Sequence, residues 1–206
     1  EQQHLKLMVL DSSTAEVAWQ TDPIYGGTNR ESSNIPSSLQ PVLNAAVDDD
    51  AVCFMNRSEI VCLDRRTGEP AWTRNILPAV DVAAGKKKAA PNDTLWAGTL
   101  IVSDGVVIYS EPGRVSAFSI PDGRQLWNQA TVPRYSGLWF TWKDVFVIDG
   151  ALWTWMGAKP KDENARRFEP LSAQSFDLKT GKKVQEVPTG NIYNVHHHHR
   201  CYRNKA

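Results

Sequence analysis

The chain has 206 residues, of which 41% are hydrophobic and 22% charged, so it can bury a sizeable core. Its 23 basic and 23 acidic residues balance, which gives no reason to expect nucleic acid or an anionic membrane as a partner. The apolar runs are strand-sized, so we expect no membrane-spanning helix. The chain starts at Glu1 without a charged-then-apolar leader, and we expect that any export signal was removed or never included.

One short motif recurs about every 55 residues. Its copies are VLDSSTAEVAW at 9–19, CLDRRTGEPAW at 62–72, AFSIPDGRQLW at 117–127 and SFDLKTGKKVQ at 175–185. Each copy predicts a strand, a tight turn and a second strand. Gly68, Gly123 and Gly181 suit a turn position with positive φ, whereas Ala15 predicts a turn that is either reshaped or mildly strained.

A further hairpin precedes the second and third copies, with predicted turns at 57–58 and 112–113. Its strands are apolar at nearly every position, which is typical of strands buried on both faces. Small antiparallel sheets repeating at this period pack face to face around a ring. We therefore predict an all-β fold, a β-propeller segment of about four four-stranded antiparallel blades. The predicted units are 7–20, 52–73, 106–128 and 145–187, with an insertion at 158–170 and the start of a further blade at 188–206.

The motif resembles the tryptophan-docking repeat of quinoprotein dehydrogenases and their relatives, the PQQ-like β-propellers. Asp64, Thr67, Gly68 and Trp72 match its pattern, with Cys62 in the usual alanine position. The resemblance implies that the tryptophan of each unit docks on the neighbouring blade. The residues expected to form these docking contacts are Trp19, Trp72, Trp127, Gly68, Gly123 and Gly181. In the fourth copy, Gln185 replaces the tryptophan.

Rings of this family usually hold seven or eight blades, so four units do not close one. The resemblance therefore implies that the chain is part of a longer propeller, with the remaining blades of the same protein as its partner. The alternative is a second copy of the chain, because two half-rings could close each other's exposed strand edges.

Quinoprotein dehydrogenases carry a vicinal cysteine pair, a calcium or lanthanide site and a catalytic aspartate. This chain has no Cys-Cys dipeptide, and its acidic run at 47–51 reads as a solvated turn before a strand. We therefore expect no PQQ, no catalytic residue and no cofactor-binding residue here.

A run of four histidines lies near the end of the sequence. In a strand, His197, His199 and Cys201 would share one face, where two imidazoles and a thiolate could bind zinc or copper. The alternatives are a polar rim strand with ordinary hydrogen bonds, or an anion site formed with Arg200 and Arg203.

Two cysteines are predicted to face each other. A turn centred on 57–58 places Cys53 opposite Cys62 at a non-hydrogen-bonded pair, where Cα atoms approach within about 4.5 Å. That spacing is compatible with a disulfide. The alternative is a pair of small buried hydrophobic side chains.

A cluster of tryptophans and a lysine-rich loop at 85–91 are two further candidate sites. Trp139, Trp142, Trp153 and Trp155 could stack on a sugar or quinone ring, but strand tryptophans in stacked blades also serve as core. The loop is expected to be a solvated connection.

The sequence as a whole favours a propeller scaffold or binding module for an unknown protein or small molecule, in a periplasmic or otherwise exported bacterial protein. The rival interpretation is part of a quinone- or metal-dependent oxidoreductase whose other site residues lie outside this chain.

Overall fold

The computed structural model describes residues 5–24, 27–28, 41–42, 45–56, 59–76, 99–111, 114–131, 145–157 and 171–188. All regular structure in these ranges is β-strand, as the sequence predicts. No helix in this part of the chain has the length and apolar character needed to cross a membrane. The predicted insertion at 158–170 and the segment from 189 onward lie outside the described residues.

Within the described ranges, sixteen strands form three four-stranded sheets and two pairs. The pairs are β1 (Met8–Leu10) with β2 (Val17–Gln20), and β3 (Gly27–Thr28) with β4 (Pro41–Val42). The second blade consists of β5 (Ala45–Val47), β6 (Ala51–Asn56), β7 (Glu59–Asp64) and β8 (Pro70–Asn75). The third consists of β9 (Thr99–Ser103), β10 (Val106–Glu111), β11 (Arg114–Ser119) and β12 (Gln125–Ala130). The fourth consists of β13 (Phe146–Ile148), β14 (Ala151–Gly157), β15 (Leu171–Asp177) and β16 (Lys183–Pro188). Every pairing is antiparallel between neighbours in sequence, and the β1–β2 pair is called the first blade unit below.

The third blade is buried on both faces, and every residue of β10 is buried. Because strand side chains alternate, Val107 and Tyr109 pack into one core cluster with Cys53 of the second blade. Val106 and Ile108 pack into another cluster that includes side chains of the fourth blade. The apolar runs of the sequence therefore fill the spaces between consecutive blades.

A β-bulge recurs in all four motif copies. In each copy, the pairing between the two strands of the motif shifts by one residue just before the tryptophan position of the second strand. The shifts lie between Val9 and Leu10, Cys62 and Leu63, Ala117 and Phe118, and Ser175 and Phe176. A bulge bends its strand and re-aims the side chain next to it. The bulge therefore turns the residue at the motif tryptophan position relative to the rest of its strand.

Ala15 takes the same backbone conformation as the glycines of the other copies. Its φ is 59°, against 75° for Gly68 and 66° for Gly123. Of the two expectations for this turn, the structure shows the strained backbone rather than a reshaped turn.

Candidate functional site

The motif turn is built around the carboxylate of Asp64. Its Oδ1 accepts hydrogen bonds from the backbone N–H of Arg66 at 2.9 Å, from that of Thr67 at 2.7 Å, and from the Thr67 hydroxyl at 2.9 Å. The N–H of Gly68 then donates to the Asp64 carbonyl at 2.9 Å. A short acidic side chain that satisfies consecutive N–H groups fixes a turn of this kind.

The other copies keep this arrangement with different side chains. Asp177 accepts from the N–H and hydroxyl of Thr180 at 2.8 and 2.7 Å. In the third copy, Ser119 stands where the other copies have the aspartate. Asp122, further along this turn, accepts a hydrogen bond from the N–H of Arg124 at 3.1 Å. The second, third and fourth copies therefore share one turn geometry, which is held either by the aspartate at the start of the turn or by the one further along.

We expect these turns to make the protein sensitive to acid. The hydrogen bonds from Thr67 hold the pKa of Asp64 below the usual value for an aspartate, and those from Thr180 act likewise on the pKa of Asp177. Because the folded pKa lies below the unfolded one, the stabilisation is fully present above about pH 4 and is lost as the pH falls through the lowered pKa. The urea midpoint should fall in this acidic range, and less steeply in Asp64→Asn, which cannot titrate. An equal slope in both proteins would contradict this assignment.

An indole from each of the first three blade units lies on the motif turn of the next unit. The Nε1 groups of the three tryptophans donate to backbone carbonyls one repeat ahead. The contacts are Trp19 to the Arg65 carbonyl at 2.8 Å, Trp72 to that of Ile120 at 2.5 Å, and Trp127 to that of Leu178 at 2.9 Å. Trp127 is the most enclosed of them, with 8% of its surface exposed. Each hydrogen bond satisfies the only polar group of a largely buried indole.

The glycine of each turn lies directly under the indole of the preceding unit. A Cβ built on Gly123 would lie 2.7 Å from Cδ2 of Trp72, and one on Gly68 would lie 2.6 Å from Cδ2 of Trp19. Gly181 is in the same position under Trp127. The glycine therefore meets two requirements together, positive φ and close contact with a ring.

A second junction contact was not predicted from the sequence. Arg74 donates through Nη1 to the Gly123 carbonyl at 2.8 Å, and its guanidinium lies 5.2 Å from the centre of the Phe118 ring. One repeat later, Gln129 donates to the Gly181 carbonyl at 3.0 Å. Both residues lie two positions after the docking tryptophan, on the same face of the strand. That spacing is the signal that could have revealed them.

The two outer motif positions differ from the inner ones. Gln185, which stands at the tryptophan position of the fourth copy, is exposed, and so is Ala15 at the glycine position of the first copy. The described part of the chain thus contains three tryptophan junctions, which link the first blade unit to the fourth blade.

Cys53 and Cys62 lie opposite each other in the β6–β7 ladder. Neither side chain is exposed, and the Cys53 thiol is 2.7 Å from the Cys62 sulfur. Both belong to the core between the second and third blades.

The remaining candidate residues fall into two groups. Within the acidic run, Asp48 Oδ1 accepts from the N–H groups of Asp50 and Ala51, which forms a turn leading into β6. Trp153 is half-buried on β14, the strand that also contains Trp155. The candidates outside the described residues are His197, His199, Cys201, Trp139, Trp142 and the loop at 85–91. No group of three or more metal-ligating side chains occurs in the described ranges.

Comparisons with known proteins agree with this geometry. A family model described as outer membrane protein assembly factor BamB matches residues 1–84. The dehydrogenase subunit of alcohol dehydrogenase (quinone) from Acetobacter aceti is 27% identical over 133 residues, covering 62% of this chain and 17% of that relative. The chain thus spans less than a fifth of the length of this curated relative.

Two solved structures show the same fold at low sequence identity. Quinohemoprotein alcohol dehydrogenase from Comamonas testosteroni is 16% identical with a TM-score of 0.54, over 90% of this chain and 32% of that one. The enzyme ADHIIG from Pseudomonas putida HK5 is 17% identical with a TM-score of 0.56, over 89% and 31%. Together, the repeated motif, the blade topology and these likenesses show a β-propeller fold built from PQQ-like repeats.

Proposed function

We propose that this chain supplies consecutive blades of a larger PQQ-like propeller, where it acts as a scaffold or binding module and does not catalyse a reaction by itself. The proposed units are 7–20, 52–73, 106–128 and 145–187, with 188–206 beginning a further blade. Its partners are the remaining blades of the same protein or a second copy, and beyond the ring an unknown protein or small molecule.

The observation that carries this proposal is the unbroken series of junctions. Trp19, Trp72 and Trp127 each donate to the next blade, and the turns that receive them are held by side chains of their own blade. The polar groups of the motif are thus engaged in joining blades. Such groups give a repeat protein a rigid frame on which loops can present a binding surface.

The family match supports a role in protein binding and an exported location. The matching model, over residues 1–84, describes an assembly factor for outer membrane proteins. We therefore propose that this protein works outside the cytoplasm, and a protein is the first class of ligand to test. This step is an analogy of fold and repeat, since one fold supports many functions.

A second function is favoured by one observation. The relative from Acetobacter aceti is a quinone-linked alcohol dehydrogenase subunit, and its likeness covers 62% of this chain. The chain would then supply part of an oxidoreductase whose other site residues lie elsewhere. His197, His199 and Cys201 would in that case be candidate ligands for zinc or copper.

The two functions are distinguished by cofactor retention in the full-length protein. The protein is incubated with PQQ and calcium, dialysed, and examined for a retained quinone spectrum, bound metal and alcohol-dependent dye reduction. The scaffold proposal expects no retained quinone and no dye reduction. Stoichiometric quinone with turnover would overturn it in favour of the oxidoreductase. Metal retained in the wild type but lost in His197→Ala with His199→Ala would identify the histidine run as a metal site.

A further inference from the structure

We propose that Cys53 and Cys62 form a cross-strand disulfide inside the second blade, which makes this blade a covalently closed hairpin before it packs against the third. The inference holds whether the protein is a scaffold or part of an enzyme. It rests on the register, the burial and the comparison between blades.

The register brings the two cysteines to a site that accommodates a disulfide. Asn56 pairs with Glu59 at the end of the hairpin, and Cys53 pairs with Cys62 three positions further in. Alternation from the end pair makes this a non-hydrogen-bonded site, with Cα atoms about 4.5 Å apart. That spacing falls within the range of about 4.4 to 6.8 Å that disulfides span. The two sulfur atoms already point at each other across the ladder.

The other blades show that packing between blades does not require two cysteines at the positions of Cys53 and Cys62. The equivalent pair is Ile108 with Ala117 in the third blade and Trp153 with Ser175 in the fourth. Each of those pairs combines a larger and a smaller side chain. Among the three four-stranded blades that the structure describes, the second alone places two equal, reactive side chains face to face, and a covalent bond requires this arrangement.

The bond would form by exchange with an external disulfide such as glutathione disulfide or a protein disulfide. The thiolate of one cysteine attacks the external disulfide, which gives a mixed disulfide and releases one external thiol. The second thiolate attacks the protein sulfur of the mixed disulfide and releases the other external thiol. Cys53 and Cys62 thus lose two electrons and two protons, and the external disulfide is reduced to two thiols.

This exchange must precede the packing of the blades. Neither cysteine is exposed, and both are covered by the core cluster that includes Tyr109 and Phe118 of the third blade. The hydrogen bond with Cys62, followed by burial, also raises the pKa of the Cys53 thiol, and the packed blades leave neither sulfur accessible to an external disulfide. Once formed, the bond would be shielded from reductants by the same side chains.

The test is peptide mapping of the full-length protein, isolated from the cells that produce it. Free thiols are trapped with N-ethylmaleimide in denaturant at lysis, and the protein is digested with trypsin. Trypsin cleaves after Arg57, so Cys53 falls in peptide 31–57 and Cys62 in peptide 58–65. We expect one species that contains both peptides and separates into two on reduction. Maleimide adducts on both cysteines, or a link from either to Cys201, would overturn the proposal.

A matched variant tests the effect of the bond on stability. Cys53→Ile with Cys62→Ala copies the pair of the third blade, Ile108 and Ala117, and so keeps the core filled without a disulfide. Both proteins are unfolded in denaturant, with or without dithiothreitol, and refolded; the reduced wild-type protein should then have a thermal midpoint about 5 to 10 °C lower than the unreduced one, and the variant should be unchanged. Equal responses in both proteins would contradict a disulfide at this site.

Discussion

Gly123→Ala is expected to destabilise the protein by about 3 kcal/mol, a large effect for the addition of one methyl group. The new Cβ would lie 2.7 Å from Cδ2 and 2.9 Å from Cε3 of Trp72, inside the fused ring system rather than at a flexible chain end. The ring cannot move away freely, because its Nε1 is bonded to the Ile120 carbonyl. The positive φ of 66° adds a backbone cost. Urea unfolding followed by circular dichroism measures the difference.

Gly105→Ala is the matched control for this substitution. Gly105 has a φ of 78°, and a Cβ added there would meet nothing within 4 Å. It therefore reports the backbone cost alone, about 1 to 2 kcal/mol. Gly123→Ala should also cost about this much in a Trp72→Ala background, because the clash has then been removed. Equal costs of Gly123→Ala with and without Trp72 would contradict the idea that the glycine is required by the indole.

Ala15 shows why the sequence predicts the turns better than it predicts the junctions. The first copy keeps the left-handed backbone with an alanine, so positive φ alone does not demand glycine at this position. Glycine stands where an indole lies on the turn, as at Gly68 under Trp19. The motif spacing reveals the turn, whereas the contact between one copy and the next depends on how the blades stack.

The bulge and the second junction contact illustrate the same limit. Strand, turn and hairpin register follow from local patterns, which is why the opposition of Cys53 and Cys62 could be predicted by counting from the turn. The register shift next to Trp72 leaves no mark in the residue types around it. The spacing from Trp72 indicates the strand face on which Arg74 lies, but its bond partner is known only once the third blade brings the Gly123 carbonyl within 2.8 Å.

Trp127→Ala is expected to cost about 3 to 5 kcal/mol, the range for removing a large aromatic side chain from a core. Trp127 is 8% exposed, donates to the Leu178 carbonyl at 2.9 Å and covers Gly181. Trp127→Phe keeps much of the ring contact and removes the hydrogen bond, so it should cost about 1 to 2 kcal/mol. Gln185→Ala alters the same motif position where the side chain is exposed, and should change stability by less than about 0.5 kcal/mol.

The part of the chain that Trp127→Ala destabilises tests the junction more sharply than the total loss of stability does. In a repeat protein each unit contacts only its neighbours, so the lost contact should release the fourth blade from the third and leave the other junctions intact. Amide hydrogen exchange should then accelerate in β14 and β15 far more than in β6 and β7. Trp72→Ala should instead accelerate exchange at the boundary of the second and third blades. Uniform acceleration across all blades in both variants would mean that the sheets unfold as a single unit and that the tryptophans do not act as separate links.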